Sequence, residues 1–135
     1  MTTPFHLAIG VSCLKKAREF YGDLIGAKEG RSDSKWVDFN FFGHQLTCHL
    51  VEKANADSYF NSVDSQAVPI PHFGPIVPPE QFEALKTKLE KANTSFIVKP
   101  QIRFKGLPGE QKTMFFKDPF GHSIEIKSYP GKMEY

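Results

Sequence analysis

The chain has 135 residues, a length typical of one compact domain, with 40% hydrophobic and 24% charged residues. Its net charge of +2 is too small, and its Lys and Arg residues too scattered, to favour nucleic-acid binding. No apolar stretch approaches the roughly 18 residues of a membrane span, and the first residues lack the pattern of a signal peptide. Cys13 and Cys48 make neither a disulfide framework nor a zinc pattern. We therefore expect a soluble, cytoplasmic protein with reduced thiols.

The beginning of the chain predicts a strand followed by a helix. Residues 5–11 alternate apolar side chains with small or polar ones, as a half-buried strand does. Apolar residues at helical spacing follow from Leu14 to Ile25, with Ser12 as a candidate cap and Gly26 as a stop. A weaker strand is predicted over 27–31.

Alternation with a period of two then predicts a β-hairpin. Residues 36–41 and 45–50 each alternate, and Phe42-Gly43-His44 between them is typical of a turn. The first unit is therefore βαβββ. Residues 53–68 are rich in Asn, Asp, Ser and Gln and predict an irregular linker.

The same order of elements then starts again. A strand with His72 near its start is predicted over 70–77, and Pro78 and Pro79 open a helix that continues to Ala92. The remaining predicted features are a strand at 96–98, a loop at 103–111, a strand at 113–116, a Phe120-Gly121-His122 turn and a closing strand at 123–127.

This repeat predicts an α+β fold of two tandem βαβββ modules in a single domain of residues 1–135. Module one would span 1–52, the linker 53–68 and module two 69–130. In each closing strand the apolar side chains should face the helices, so the alternate residues should lie on the opposite surface.

Three residues of metal-binding types are predicted on that opposite surface. If the surface curls, His6, His72 and Glu125 converge inside it. Two imidazoles and one carboxylate leave positions open on an octahedral metal and suit non-haem Fe(II) oxygen chemistry, although Zn, Mn or Ni also accept such ligands. His6 and His72 occupy equivalent positions of the repeat, which strengthens the hypothesis.

Both ends of the chain resemble a known family. The strand around His6, followed by the stretch of residues 15–26, is similar to the opening of the vicinal oxygen chelate superfamily, which includes glyoxalase I, bleomycin-resistance proteins and extradiol dioxygenases. Asp118-Pro119-Phe120-Gly121-His122-Ser123-Ile124-Glu125 resembles its closing signature. The resemblance implies paired βαβββ modules around a U-shaped mixed-sheet cup that holds a divalent metal, with helices outside.

The same resemblance implies roles for individual residues. The metal ligands would be His6, His72 and Glu125. A fourth position falls on Thr47, where glyoxalase I-like members carry a carboxylate, so Thr47 favours the three-ligand, dioxygenase-like pattern and would point toward the open coordination sites. His49 lies two residues further on the same face and would act as an acid or base.

Further residues would bind the substrate. The stretch Ile102–Phe116 resembles a subgroup of predicted extradiol-dioxygenase-like proteins. In it, Arg103 and Lys105 would hold an anionic group. Phe115 and Trp36 would face an aromatic substrate.

Three functions remain open at this point. The favoured one is a metal-dependent dioxygenase-like enzyme that binds a small substrate through vicinal oxygens, with Fe(II) ahead of Zn, Mn or Ni. The alternatives are a glyoxalase- or epimerase-type lyase or isomerase and a non-catalytic, drug-binding protein. The expected partners are a small-molecule substrate and a second copy in a homodimer, with no nucleic acid and no membrane. The metal site would lie within one chain or be shared between two.

Overall fold

The computed structural model describes residues 3–54, 59–63, 66–131 and 133. Two compact units divide the chain, Met1–Ala56 with Pro119–Gly121 and Asp57–Asp118 with His122–Tyr135. In the described part of the chain, no helix is both long enough and apolar enough to cross a membrane.

The first unit has the predicted βαβββ order. Its elements are β1 His6–Val11, α1 Leu14–Ala17, a wider π-helical continuation at Arg18–Leu24, β2 Lys28–Ser32, β3 Trp36–Phe41 and β4 His44–Leu50. The helix differs from its prediction at the start, because Cys13 is the N-cap residue and no side chain caps it. Its later turns also open into π-type hydrogen bonding, as in the Ile25 N–H bond to the Phe20 carbonyl.

The sheet of the first unit has the strand order β1-β4-β3-β2, with β1 parallel to β4 and the other neighbours antiparallel. One face packs against the helix. Tyr21 from the helix contacts Phe39 and Phe41 of β3, and all three rings are buried. The alternate residues of each strand lie on the other face, as the period of two requires.

The second unit begins with a hairpin and continues as a module like the first. Its elements are β5 Tyr59–Val63, β6 Gln66–Ile70, α2 Pro79–Lys91, β7 Phe96–Arg103, β8 Gln111–Lys117 and β9 Ser123–Ser128. β9 pairs with β8, and β8 with β7, all antiparallel. α2 buries Phe82, Leu85 and Leu89, the apolar stripe expected of it.

The hairpin corrects one prediction. Residues 53–68 were expected to be irregular, but 59–63 and 66–70 form the antiparallel strands β5 and β6. Residues 55–58 and 64–65 of the predicted linker lie outside the described residues. The module boundaries themselves stay a prediction.

The strand predicted over 70–77 is also shorter than expected. Its first residue, Ile70, belongs to β6, and the rest lies beside β9 with parallel bridges at Phe73 and Ile76. Main-chain hydrogen bonds continue from Phe73 to Val77 along β9. This bridging segment, residues 73–77, therefore takes the place in the second unit that β1 has in the first, next to the closing strand and parallel to it. The predicted α+β class and the βαβββ order are confirmed.

Candidate metal site

Two backbone hydrogen bonds hold the segment that follows His72 beside Glu125. The Glu125 N–H donates to the Phe73 carbonyl at 2.9 Å, and the Lys127 N–H donates to the Pro75 carbonyl at 3.1 Å. Gly74 lies between these bonds, and a Cβ on it would fall 1.6 Å from the Glu125 carbonyl oxygen. Only a residue without a side chain therefore allows this close approach.

The two side chains meet on the sheet face opposite α2. His72 Nε2 lies 3.2 Å from Glu125 Oε1. The Glu125 side chain is 5% exposed and that of His72 is 29% exposed. A carboxylate this deep in a protein needs bonded partners, since burying an unpaired charge is costly.

Neighbouring groups fix the orientation of both side chains. His72 Nδ1 lies 2.6 Å from the Pro69 carbonyl oxygen, so this nitrogen carries a proton and donates it. The Phe115 ring packs edge-on against the imidazole, with centroids 4.9 Å apart. The Thr113 hydroxyl donates to Glu125 Oε2. Nε2 of His72 and Oε1 of Glu125 are therefore the atoms left to face each other.

These contacts shift the pKa values of His72 and Glu125. The hydrogen bond to Glu125 raises the pKa of His72 above its usual value, although burial acts to lower it. Burial acts to raise the pKa of Glu125, but hydrogen bonds from His72 and Thr113 outweigh it and the pKa is lowered. Lys127 Nζ, 3.8 Å from Glu125 Oε1, also favours the carboxylate form.

The donor atoms fit a divalent metal. Metal–nitrogen and metal–oxygen bonds of about 2.1 Å place two neighbouring ligands of one ion about 3 Å apart, close to the 3.2 Å between Nε2 and Oε1. A histidine whose other nitrogen donates to a carbonyl is typical of metal sites, as is a hydrogen-bonded carboxylate ligand. Within the described part of the second unit, no third His, Cys, Asp or Glu completes a group of three with His72 and Glu125.

The first unit carries the remaining predicted ligand on its own sheet. His6 lies on β1 opposite Gln45, and the next pair on that face is Ala8 opposite Thr47. Thr47 is buried, and its hydroxyl donates to Asp38 Oδ1 at 2.6 Å. His6 therefore occupies the position in its unit that His72 occupies in the other, and its role as a ligand stays a prediction.

The predicted acid or base and one predicted aromatic contact lie together on β4 and β3. His49 is exposed and stands opposite Trp36 in the antiparallel register. The Arg31 guanidinium lies 5.8 Å from the centre of the Trp36 ring. Their proposed contacts with substrate stay predictions.

The predicted anion-binding residues differ in burial. Arg103 ends β7, is buried and lies 5.5 Å from the centre of the Phe104 ring, whereas Lys105 is exposed in the following loop. Phe115 is buried against Val68 and Val98 in addition to His72. Substrate binding by these residues also stays a prediction.

Several residues of the site went unnoticed in the sequence. Pro69 lay in a segment without visible strand pattern, and Thr113 was noted only as part of a strand. Asp38 was likewise noted only as part of an alternating strand, and nothing in the sequence paired it with Thr47. A cross-strand register would have revealed both the Thr113–Glu125 and the Asp38–Thr47 contacts, and register is set by turns and bulges that the sequence leaves uncertain.

Comparison with known proteins identifies the family. The model of the Glyoxalase/Bleomycin resistance protein/Dioxygenase superfamily matches residues 3–126. The chain belongs to this superfamily, whose members are generally metal-dependent. The resemblance noted from the two end motifs is thereby confirmed.

Individual relatives cover nearly the whole chain. A glyoxalase/bleomycin resistance protein/dioxygenase from Alicyclobacillus acidocaldarius is 30% identical with a TM-score of 0.81, covering 98% of this chain and 96% of its own. Glutathione transferase FosA from Serratia marcescens is 29% identical over 90% of this chain and 77% of its own length. The structure of lactoylglutathione lyase from Agrobacterium tumefaciens, at 19% identity and a TM-score of 0.63 over 95% of this chain and 94% of its own, shows the fold alone.

Proposed function

We propose that this protein is an enzyme that depends on a divalent metal held by His72 and Glu125. The observation that carries the proposal is the spacing of Nε2 and Oε1, with Pro69 and Thr113 orienting the two side chains from behind. His6 is proposed as the third ligand, because its position in the repeat is equivalent to that of His72 and because the family resemblance implies it. It would come from the same chain or from a second copy in a homodimer.

The chain's own residues then have separate tasks. A bound metal would supply Lewis-acid stabilisation and orientation of a substrate that binds through adjacent oxygens. Phe115 and Thr113 keep the two ligands in place. Arg103 and Lys105 are proposed to hold an anionic group of the substrate, and Trp36 to contact its apolar part. His49, exposed on β4, is the proposed acid or base.

The favoured reaction class is that of an extradiol-dioxygenase-like oxidoreductase with Fe(II). Three protein ligands leave room for two substrate oxygens and a third open site. Thr47 supports this class, because its hydroxyl is committed to Asp38 and offers no fourth carboxylate.

Transfer or isomerisation is the second candidate. The 29% identity to a glutathione transferase supports it. So does Asp38, a carboxylate on the sheet face that His6 and Thr47 share, where it stands as a candidate base. Zn, Mn or Ni would then serve as well as iron.

The first experiment is elemental analysis of protein purified anaerobically, for the wild type and for Glu125→Ala. Metal near one equivalent in the wild type, lost in the variant, is the expected result. No metal in either protein after reconstitution would sink the proposal and leave a binding protein.

Activity assays separate the two reaction classes. Oxygen consumption by the Fe(II) form with catechols supports the dioxygenase. Turnover under anaerobic conditions with Mn, Zn or Ni, including addition of glutathione to an electrophile, supports the second candidate. Lys91→Ala, on the exposed surface of α2, is the control that keeps both metal and activity.

A further inference from the structure

The Glu125 carboxylate faces an imidazole and an ammonium group through the same oxygen. Oε1 lies 3.2 Å from His72 Nε2 and 3.8 Å from Lys127 Nζ. Lys127 stands two residues after Glu125 on β9, so it lies on the same face of the sheet. It pairs across the strands with Thr113, the residue that bonds the other oxygen of Glu125.

Metal binding at the proposed site changes the surroundings of Lys127. The oxygen that the lysine faces is the one proposed as a ligand, so Lys127 loses most of the negative charge that balances it. It would then lie close to an ion with two positive charges. Charges at such short range near a protein surface repel each other strongly, because water screens them only in part. The loaded site is therefore short of negative charge.

A second cation lies on the same face further along the sheet. Arg103 stands opposite Gln111, and Gln111 stands two residues before Thr113 on β8. Arg103, Thr113 and Lys127 thus share one face of the second unit, and Arg103 is buried there. An anion bound beside the metal and Lys127 would restore the balance there.

We propose that Lys127 is a substrate-binding residue that metal binding makes available, and that the substrate presents a small oxyanion such as a phosphonate or carboxylate. The proposal rests on the function proposed above. Lys127 has no direct part in holding the metal and is one-third exposed, so an incoming anion can reach its amino group. Its three N–H donors suit an oxyanion.

The test is calorimetric titration of the full chain with methylphosphonate and, separately, with acetate, with and without Mn²⁺. The two probes share the oxyanion chemistry and separate a phosphonate-like from a carboxylate-like group. The variants are Lys127→Met, Lys127→Arg and, as a matched control on β7, Lys99→Met, since Lys99 is exposed. Mn²⁺ affinity is measured for each variant beforehand.

The Mn²⁺-loaded wild type is expected to bind at least one probe more tightly than the metal-free protein does. Lys127→Met should bind it about tenfold more weakly, as for the loss of one charge-assisted hydrogen bond. Its Mn²⁺ affinity should be unchanged or higher, because a competing cation is gone; this retained affinity also shows that the variant folds. Lys127→Arg and Lys99→Met should stay within about threefold of the wild type.

Each other outcome is decisive. Equal anion binding by Lys127→Met and the wild type would reduce Lys127 to a partner of Glu125 and overturn the inference. Mn²⁺ binding without anion binding would overturn it while the proposed function stands. A wild type that binds no Mn²⁺ would overturn the proposed function and this inference with it.

Discussion

Gly74 is the residue on which the position of His72 depends most directly. Gly74→Ala places a Cβ 1.6 Å from the Glu125 carbonyl oxygen, so the bridging segment must move away from β9. We expect a loss of at least about 2 kcal/mol in the free energy of unfolding. Metal affinity should fall as well, because His72 moves with the segment. Urea denaturation and metal titration measure the two effects.

The matched control is Gly131→Ala, since a Cβ there would meet no atom within 4 Å. Its unfolding free energy should change by no more than about 0.5 kcal/mol. If Gly74→Ala behaves like Gly131→Ala, the close approach of the two segments is not what positions His72.

Thr113 tests the hydrogen bond behind the Glu125 carboxylate. Thr113→Val keeps the shape of the side chain and removes the donor to Oε2. We expect metal affinity to fall about 10- to 100-fold, as when outer partners of ligands are removed, and stability to fall by about 1–3 kcal/mol, since a buried carboxylate oxygen loses its partner. Thr113→Ser keeps the hydroxyl and should recover most of the affinity. Equal affinities for the Val and Ser variants would contradict a positioning role.

At the scale of single residues, the sequence predicted which residues belong to the candidate site better than it predicted the contacts between them. The repeat placed His72 and Glu125 on one surface because alternation and the order of elements are local properties of the chain. The burial of Glu125 was not predictable in the same way. A Glu on the non-helical face of a strand is ordinarily solvated, whereas this one is enclosed by His72, Thr113 and Lys127.

Among the elements, the β5–β6 hairpin helps to orient His72, which its sequence did not indicate. Val68 of β6 packs against Val98 and Phe115, and the next residue, Pro69, supplies the carbonyl that holds His72 Nδ1. The segment looked irregular because Asn, Ser and Gln dilute its alternation and two prolines follow it. Prolines are tolerated on edge strands, and a two-stranded hairpin consists only of edges.

Packing of the hairpin should therefore influence metal affinity, although the hairpin contributes no proposed ligand. Val68→Ala removes buried methyl groups from the contact with Phe115, so we expect a loss of about 1–2 kcal/mol. Metal affinity should fall a few-fold, because the Pro69 carbonyl loses its fixed position. Hydrogen exchange of the β5–β6 amides and metal titration report these two changes separately.

The control for the hairpin is Ala67→Ser, which alters an exposed position one residue away on the other side of β6. It should change neither quantity. Faster exchange in Val68→Ala with unaltered metal affinity would show that the hairpin covers the sheet without positioning His72.

Over the whole molecule, the repeat is visible in the register of each unit. β1 lies parallel to β4 with His6 opposite Gln45, and the bridging segment lies parallel to β9 with Phe73 opposite Ile124. The two Phe-Gly-His turns that precede the closing strands even share a glycine at positive φ, +88° at Gly43 and +92° at Gly121. The order of elements and the two turns followed from the sequence, because turn residues and alternation recur, whereas the strand pairing and its register did not. How the two modules combine into a cup stays a prediction, since contacts between distant parts of a chain leave no local pattern.

Metal binding should stabilise the folded protein, and this stabilisation should depend on ligands from both ends of the chain. A ligand that binds only the folded state at 100 times its dissociation constant stabilises that state by about 2.7 kcal/mol. Adding Mn²⁺ to the wild type should therefore raise the melting temperature by several degrees, and EDTA should reverse the increase.

His72→Ala should abolish most of this shift in the melting temperature. If His6 is the third ligand, His6→Ala should reduce it to a comparable extent, although the residue lies in the other unit. His49→Ala should leave the shift intact, because His49 is proposed to act on the substrate and not on the metal. A full shift in His6→Ala would remove His6 from the ligand set and leave His72 and Glu125 to bind the ion with water or with a residue not yet identified.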